Sequence, residues 1–126
     1  VRALQERLLK NHPQAKVADY VTTPRQSGYR AVHIITGWSK APRRMVEIQL
    51  RSLTMHRWAD MVETVSLAVG VNHKQDGDTE FHRWARALSA IMEAREVDQD
   101  VSRELAVEYD VAYTNFFGAE IGGDDE

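Results

Sequence analysis

Two short stretches carry side chains that could do chemistry, at a spacing that would bring them together. Residues 28–33 read Gly-Tyr-Arg-Ala-Val-His, and residues 46–51 read Val-Glu-Ile-Gln-Leu-Arg. Both have the composition of β-strands, whose successive side chains point to opposite faces. Parity places Tyr29, Ala31, His33 and Ile35 on one face of the first strand, with Arg30, Val32, Ile34 and Thr36 on the other. On the second, Met45, Glu47, Gln49 and Arg51 oppose Val46, Ile48 and Leu50. With both aliphatic faces turned into a core, Tyr29, His33, Glu47, Gln49 and Arg51 share the remaining face. Such a face offers an aromatic ring for stacking on a base, a carboxylate for a cation or a proton, and a guanidinium for phosphate.

Each of these residues also has a plainer reading. Glu47 could form a cross-strand pair with Arg30 or Arg43, and Tyr29 could be an ordinary strand tyrosine. Gly28, just before Tyr29, would let a ligand come close to the backbone. The five histidines (His12, His33, His56, His73 and His82) form no H-E-x-x-H helix or close ligand pair, which argues against a zinc site.

The elements that must position these groups follow from periodicity and breakers. Val1–Asn11 reads as a helix with Leu4, Leu8 and Leu9 on one side, stopped before Pro13. Lys16–Val21 is a short strand, and the Thr-Thr-Pro-Arg-Gln-Ser-Gly run of residues 22–28 is a loop. Tyr29–Trp38 and Met45–Arg51 form an antiparallel hairpin across a basic turn at Ser39–Arg44. Ser52 caps a helix over 53–69 with Met55, Trp58, Met61, Val62, Val65 and Val69 at helical spacing, up to Gly70. Val71–Gly77 is a loop. Residues 78–117 contain neither Gly nor Pro. They carry a stripe of Phe81, Trp84, Ala85, Leu88, Ile91 and Met92, continued by Val97, Val101, Leu105 and Tyr109. That pattern predicts one bent helix or two. Residues 118–126 read as an acidic, disordered tail.

A chain of 126 residues, 43% hydrophobic and 28% charged, is sized for one domain with a modest core. No apolar run approaches the ~20 residues that span a membrane, and the opening residues carry no signal-peptide pattern. Cysteine is absent, so disulfides, thiolate catalysis and cysteine-ligated metals are excluded; a reducing, cytoplasmic setting is compatible. The net charge of −3 conceals an uneven distribution. Residues 25–57 hold seven Lys or Arg (Arg25, Arg30, Lys40, Arg43, Arg44, Arg51 and Arg57) and one acid, Glu47. Residues 58–126 hold sixteen acids against five basic residues. A positive island on an acidic chain favours a compact phosphate ligand over a long polyanion, which the acidic half would repel.

Several linked motifs now resemble a known family. Asp19-Tyr20-Val21, Pro24 to His33, Val46 to Ser52, and Met55-His56-Arg57-Trp58-Ala59-Asp60 are similar in order and spacing to the RelA/SpoT alarmone synthetase domain. The helices beyond are similar to those of its stand-alone, single-domain members. The resemblance covers roughly residues 15–65. It implies an α+β fold: a mixed or antiparallel sheet with flanking helices, nucleotidyltransferase-like, followed by C-terminal helices. On this reading residues 1–117 are part of a synthetase domain, with a β region at 15–51 and helices at 53–69 and 78–117.

The resemblance implies transfer of pyrophosphate from ATP to the 3′-hydroxyl of GDP or GTP, with Mg2+. It implies that Tyr29 stacks on guanine and that Glu47 serves the metal or the attacking hydroxyl. His33, Gln49 and Arg51 would line the acceptor pocket, with Arg25 and Arg30 also binding substrate. Ser27 stands where the family commonly has Asn, Ala31-Val32 where it has Ser-Leu or Gly-Val, and Ser52 where it has Thr. The family's basic donor-nucleotide motif and its Asp-x-x-Gly-x-Arg metal-binding stretch lie upstream of the segment that matches residues 1–15. The expectation is therefore an acceptor half with an incomplete donor side, either the C-terminal part of a longer polypeptide or a truncated descendant. Two other readings are a non-catalytic nucleotide-binding or interaction domain, and a toxic relative that pyrophosphorylates adenosine nucleotides or tRNA. A homo-oligomer is compatible with any of these.

Overall fold

In a computed structural model, residues 1–37, 44–71 and 77–122 are described, the side chains of 119–122 excepted. Trp38, Lys40, Arg43, His73, most of the expected basic turn and most of the 71–77 loop lie outside them.

The element order is α1 (Arg2–Asn11), β1 (Lys16–Asp19), β2 (Val32–Gly37), β3 (Met45–Leu50), α2 (Leu53–Val69), α3 (Glu80–Glu96) and α4 (Arg103–Gly122). The three strands make an antiparallel sheet in the order β1-β2-β3. His33 lies opposite Gln49, and Ile35 opposite Glu47. Burial alternates as parity requires: Val32, Ile34 and Thr36 are buried, and His33 and Ile35 are half-buried. Leu8 and Leu9 of α1, with Val21, close the buried face over Val32, Ile34 and Leu50. Leu4, expected with them, is exposed. Arg2 ties α1 to the end of β1, donating to Asp19 Oδ2 at 2.7 Å and to Thr22 at 2.8 Å. The Asp19 carboxylate also accepts the Val21 and Thr22 amides. With Arg2 as the largest influence, its pKa is held far below the usual carboxylate range.

A second core joins the helices. Trp58 and Val62 of α2, Phe81, Trp84 and Ala85 of α3, and Ala112 and Phe116 of α4 pack together. Trp58 Nε1 donates to the Ala85 carbonyl at 2.8 Å. Ser52 caps α2 as expected, accepting the Met55 amide at 3.2 Å. Thr79 caps α3.

Some element boundaries differ from the sequence expectation. Strand β2 begins at Val32 rather than Tyr29, because Gly28 at φ +94° turns the chain into the site face just before it. Of the two forms expected for the 78–117 stretch, the structure has the two helices. The stretch breaks after Glu96, where Asp98 takes the left-handed φ of +58° that usually belongs to glycine. Helix α4 runs past Phe117 to Gly122, so 118–122 is not part of a disordered tail, and 123–126 lie outside the described residues. The aromatic anchor just before Gly118 explains the extension. Phe116 stacks on Trp84 and Phe117 meets it edge-on, which outweighs the ~1 kcal/mol that one glycine costs a helix.

Candidate functional site

On the exposed sheet face lies a concavity of about 340 Å3, lined by Arg25, Ser27, Tyr29, His33, Gln49 and Arg51 and bounded by α2. Its floor is set by the antiparallel register, which puts His33 directly across from Gln49. Tyr29 precedes the strand but reaches the same side. Its hydroxyl is 2.8 Å from His33 Nε2, and the two rings meet edge-on at 5.6 Å. His33 Nδ1 stands 3.7 Å from Glu47 Oε1, and Gln49 Nε2 donates to that same oxygen at 2.8 Å. Glu47 is not among the lining side chains. It stands at the rim, joined to the floor through His33 and Gln49.

The electrostatics follow from this packing. Burial pushes the His33 pKa below its ordinary 6.5, and Arg25 and Arg51 push the same way against Glu47. Burial raises the Tyr29 phenol, partly offset by Arg51 and Arg25. The site therefore presents a neutral imidazole and a neutral phenol beside two guanidinium groups and a half-exposed carboxylate. Such a set can stack a base, neutralise phosphates, and accept a proton at Glu47.

Six of the seven residues expected to act together are brought together: Arg25, Tyr29, His33, Glu47, Gln49 and Arg51. Arg30 is not. Its side chain turns to α3, where Nε donates to Ser89 Oγ at 3.2 Å and Nη1 pairs with Glu93. The cross-strand pair of Glu47 with Arg30 is not formed, since Arg30 pairs with Glu93; the pair considered with Arg43 lies outside the described residues. Gly28 also has a different role. A Cβ there would come within 3.0 Å of Ser89 Cβ and 3.1 Å of the Trp58 ring, so its bareness serves helix packing.

Residue-by-residue reading missed two contributors. Tyr20 stacks under Arg25, with Cζ 4.5 Å from the ring centroid, and meets His33 edge-on. Its signal was the Asp-Tyr-Val motif at the end of β1. Glu63 lines the concavity from α2. Its only signal is helical spacing from Ala59, which says nothing about facing a sheet.

Among the described residues, no group of three or more His, Asp or Glu side chains could hold a metal ion. Mg2+ needs no such cage, because it takes one or two carboxylates and completes its shell with phosphate oxygens and water. Glu47, 46% exposed, fits as a ligand of that kind.

A three-stranded antiparallel sheet with a charged, aromatic open face, packed with helices α1–α4, defines an α+β protein. The family model described as "Region found in RelA / SpoT proteins" matches residues 3–74, and the chain belongs to that family. It is 31% identical over 99 residues to uncharacterised proteins of Mycobacterium tuberculosis and Mycobacterium bovis, covering 79% of this chain and 31% of theirs. The chain thus spans about a third of the length of these curated relatives.

Two solved structures share the fold. One is the small alarmone synthetase 1 of Bacillus subtilis bound to its product pppGpp, with TM-score 0.59, 20% identity, and coverage of 77% of this chain and 52% of that one. The other is a GTP pyrophosphokinase family protein from Streptococcus pneumoniae, with TM-score 0.58, 19% identity, and coverage of 93% and 62%.

Proposed function

We propose that this chain carries the acceptor-nucleotide side of a pyrophosphate-transfer site. The convergence of Tyr29, His33, Gln49, Arg25 and Arg51 on one concavity, with Glu47 at its rim, supports this reading most directly. In it, guanine of GDP or GTP stacks on Tyr29, and Arg25 and Arg51 neutralise the acceptor's phosphates. The 3′-hydroxyl is directed toward Glu47. Attack of that oxygen on the β-phosphorus of ATP forms one P–O bond. It breaks the bond to the α–β bridging oxygen, and AMP leaves. The hydroxyl proton passes to the Glu47 carboxylate. Where Glu47 instead helps hold Mg2+, the ion would supply charge neutralisation, on which phosphoryl transfer depends.

That the chain covers 52% of the Bacillus synthetase's length supports reading this site as the acceptor half of a larger one.

A transfer assay with radiolabelled ATP tests this, with GDP, GTP and tRNA as acceptors. Three proteins are compared: the 126-residue chain, a version extended upstream, and the extended version carrying Glu47→Gln. We expect transfer to GDP or GTP by the extended protein only. Transfer to tRNA alone would identify a nucleic-acid-modifying relative. No transfer by the extended chain, with GDP binding intact, would identify a non-catalytic nucleotide-binding domain.

A further inference from the structure

Tyr29 sits between two residues that are both fastened to α3. On one side, Ser89 Oγ donates to the Gly28 carbonyl at 2.5 Å, in a fully buried contact. On the other, Arg30 Nε donates to the same Ser89 hydroxyl at 3.2 Å, and its Nη1 pairs with Glu93, one turn further along α3. The Arg30 side chain is 11% exposed, and Ser89 is buried. Nη1 has no directed hydrogen bond among the described residues, so the Glu93 ion pair is what compensates its charge. The fit at Gly28 is close enough that any side chain would meet Ser89, Trp58 or the Arg86 backbone.

The phenol end of Tyr29 is fixed separately, by His33. The ring is thus held at its tip by the sheet and at its backbone by a helix that does not line the concavity. Ser89 and Glu93 are far from Tyr29 in sequence, and neither touches the space where a nucleotide would sit.

We propose that Ser89 and Glu93 are positioning residues, which clamp the Gly28–Arg30 strip to α3 and so preorganise Tyr29 as a stacking platform. A platform already held in place loses less freedom on binding, and the ligand is held more tightly for it. The inference rests on the reading that Tyr29 stacks on guanine. It assigns Arg30 to the clamp instead of to the ligand. It also makes α3, which lies beyond the segment matched by the family model, part of the binding apparatus.

The test uses the full chain with Ser89→Ala and Glu93→Gln. Alanine is the better helix former, and glutamine keeps the shape of glutamate, so both variants should fold. The first readout needs no ligand: amide hydrogen exchange at Tyr20, Arg25 and Gly28, whose acceptors are the carbonyls of Ala31, Tyr29 and Arg25. Both variants should exchange there roughly tenfold faster, as expected for loss of a charged or buried hydrogen bond, with β2 and β3 unchanged.

The second readout is GDP affinity by calorimetry. Each variant should bind about tenfold more weakly than the parent, and neither should weaken binding further in a Tyr29→Ala background, because effects through one shared residue are not additive. Unchanged exchange would overturn the clamp. Faster exchange with unchanged GDP affinity, while Tyr29→Ala alone weakens binding, would overturn the positioning role. If Tyr29→Ala binds GDP as well as the parent, the stacking reading itself fails and this inference falls with it.

Discussion

At the scale of single residues, Tyr29 and His33 decide most of the site's character. Tyr29 contributes a ring and a hydroxyl, and the two can be separated. Stacking on a base is worth about 1–3 kcal/mol, so Tyr29→Ala should weaken GDP binding roughly tenfold or more. Tyr29→Phe, which loses only the 2.8 Å contact to His33, should keep most of the affinity. Isothermal titration of both variants checks this.

His33 supplies a pH dependence whose sign is determined. Its pKa is lowered in the folded chain from an ordinary 6.5, so the unfolded chain binds the proton more readily. The stability it contributes is complete above about pH 6.5 and is lost as pH falls from there through the lowered value. Urea unfolding at pH 7.5 and pH 5.5 should show a loss that shrinks in His33→Gln.

The shared face of His33, Glu47 and Gln49 was legible from strand parity, because a period of two sorts side chains without knowledge of the fold; Tyr29 and Arg51 reach the concavity from just outside β2 and β3. Arg30 was not legible. Parity puts it with Val32 and Ile34, and only the tertiary position of α3 shows that its guanidinium leaves the strand for Ser89 and Glu93.

At the scale of elements, the helices were legible where apolar spacing and caps agreed. Ser52 and the stripe of α2 are the example. A break between two helices was one of the expected forms, but its position was not legible because its left-handed residue is Asp98, not glycine. Asp98→Val should destabilise the chain by about 1–2 kcal/mol, the cost of placing a side chain in that conformation, whereas Asp98→Gly should be neutral or better. Thermal unfolding followed by circular dichroism distinguishes them. Gly28→Ala should be worse than either, since its strain at φ +94° is joined by contacts at 3.0–3.2 Å to Ser89, Trp58 and Arg86. These elements matter to the site because β2 and β3 carry its floor, α2 bounds it and α3 holds Tyr29's backbone.

At the scale of the whole molecule, two cores divide the work. Val32, Ile34 and Leu50 under α1 stiffen the sheet, and the Trp58–Trp84–Phe116 cluster ties the helices together. The loop between β1 and β2 runs over the junction, anchored at Asp19 by Arg2 and at Gly28 by Ser89. It carries Arg25 and Tyr29 into the concavity. Arg25 and Arg51 bring positive charge into the concavity, which favours a phosphate there. None of the described helices is long and apolar enough to cross a membrane.

Whether the open sheet face binds guanine nucleotide is decided by titrating GDP into the isotope-labelled 126-residue chain and following amide and side-chain NMR shifts. Saturable shifts are expected at Arg25, Tyr29 and His33 and across Glu47 to Arg51, with the Tyr29 ring resonances moved most and ATP producing smaller changes. Saturable shifts centred instead on α1 or α4, or no shifts at millimolar GDP, would contradict a site there.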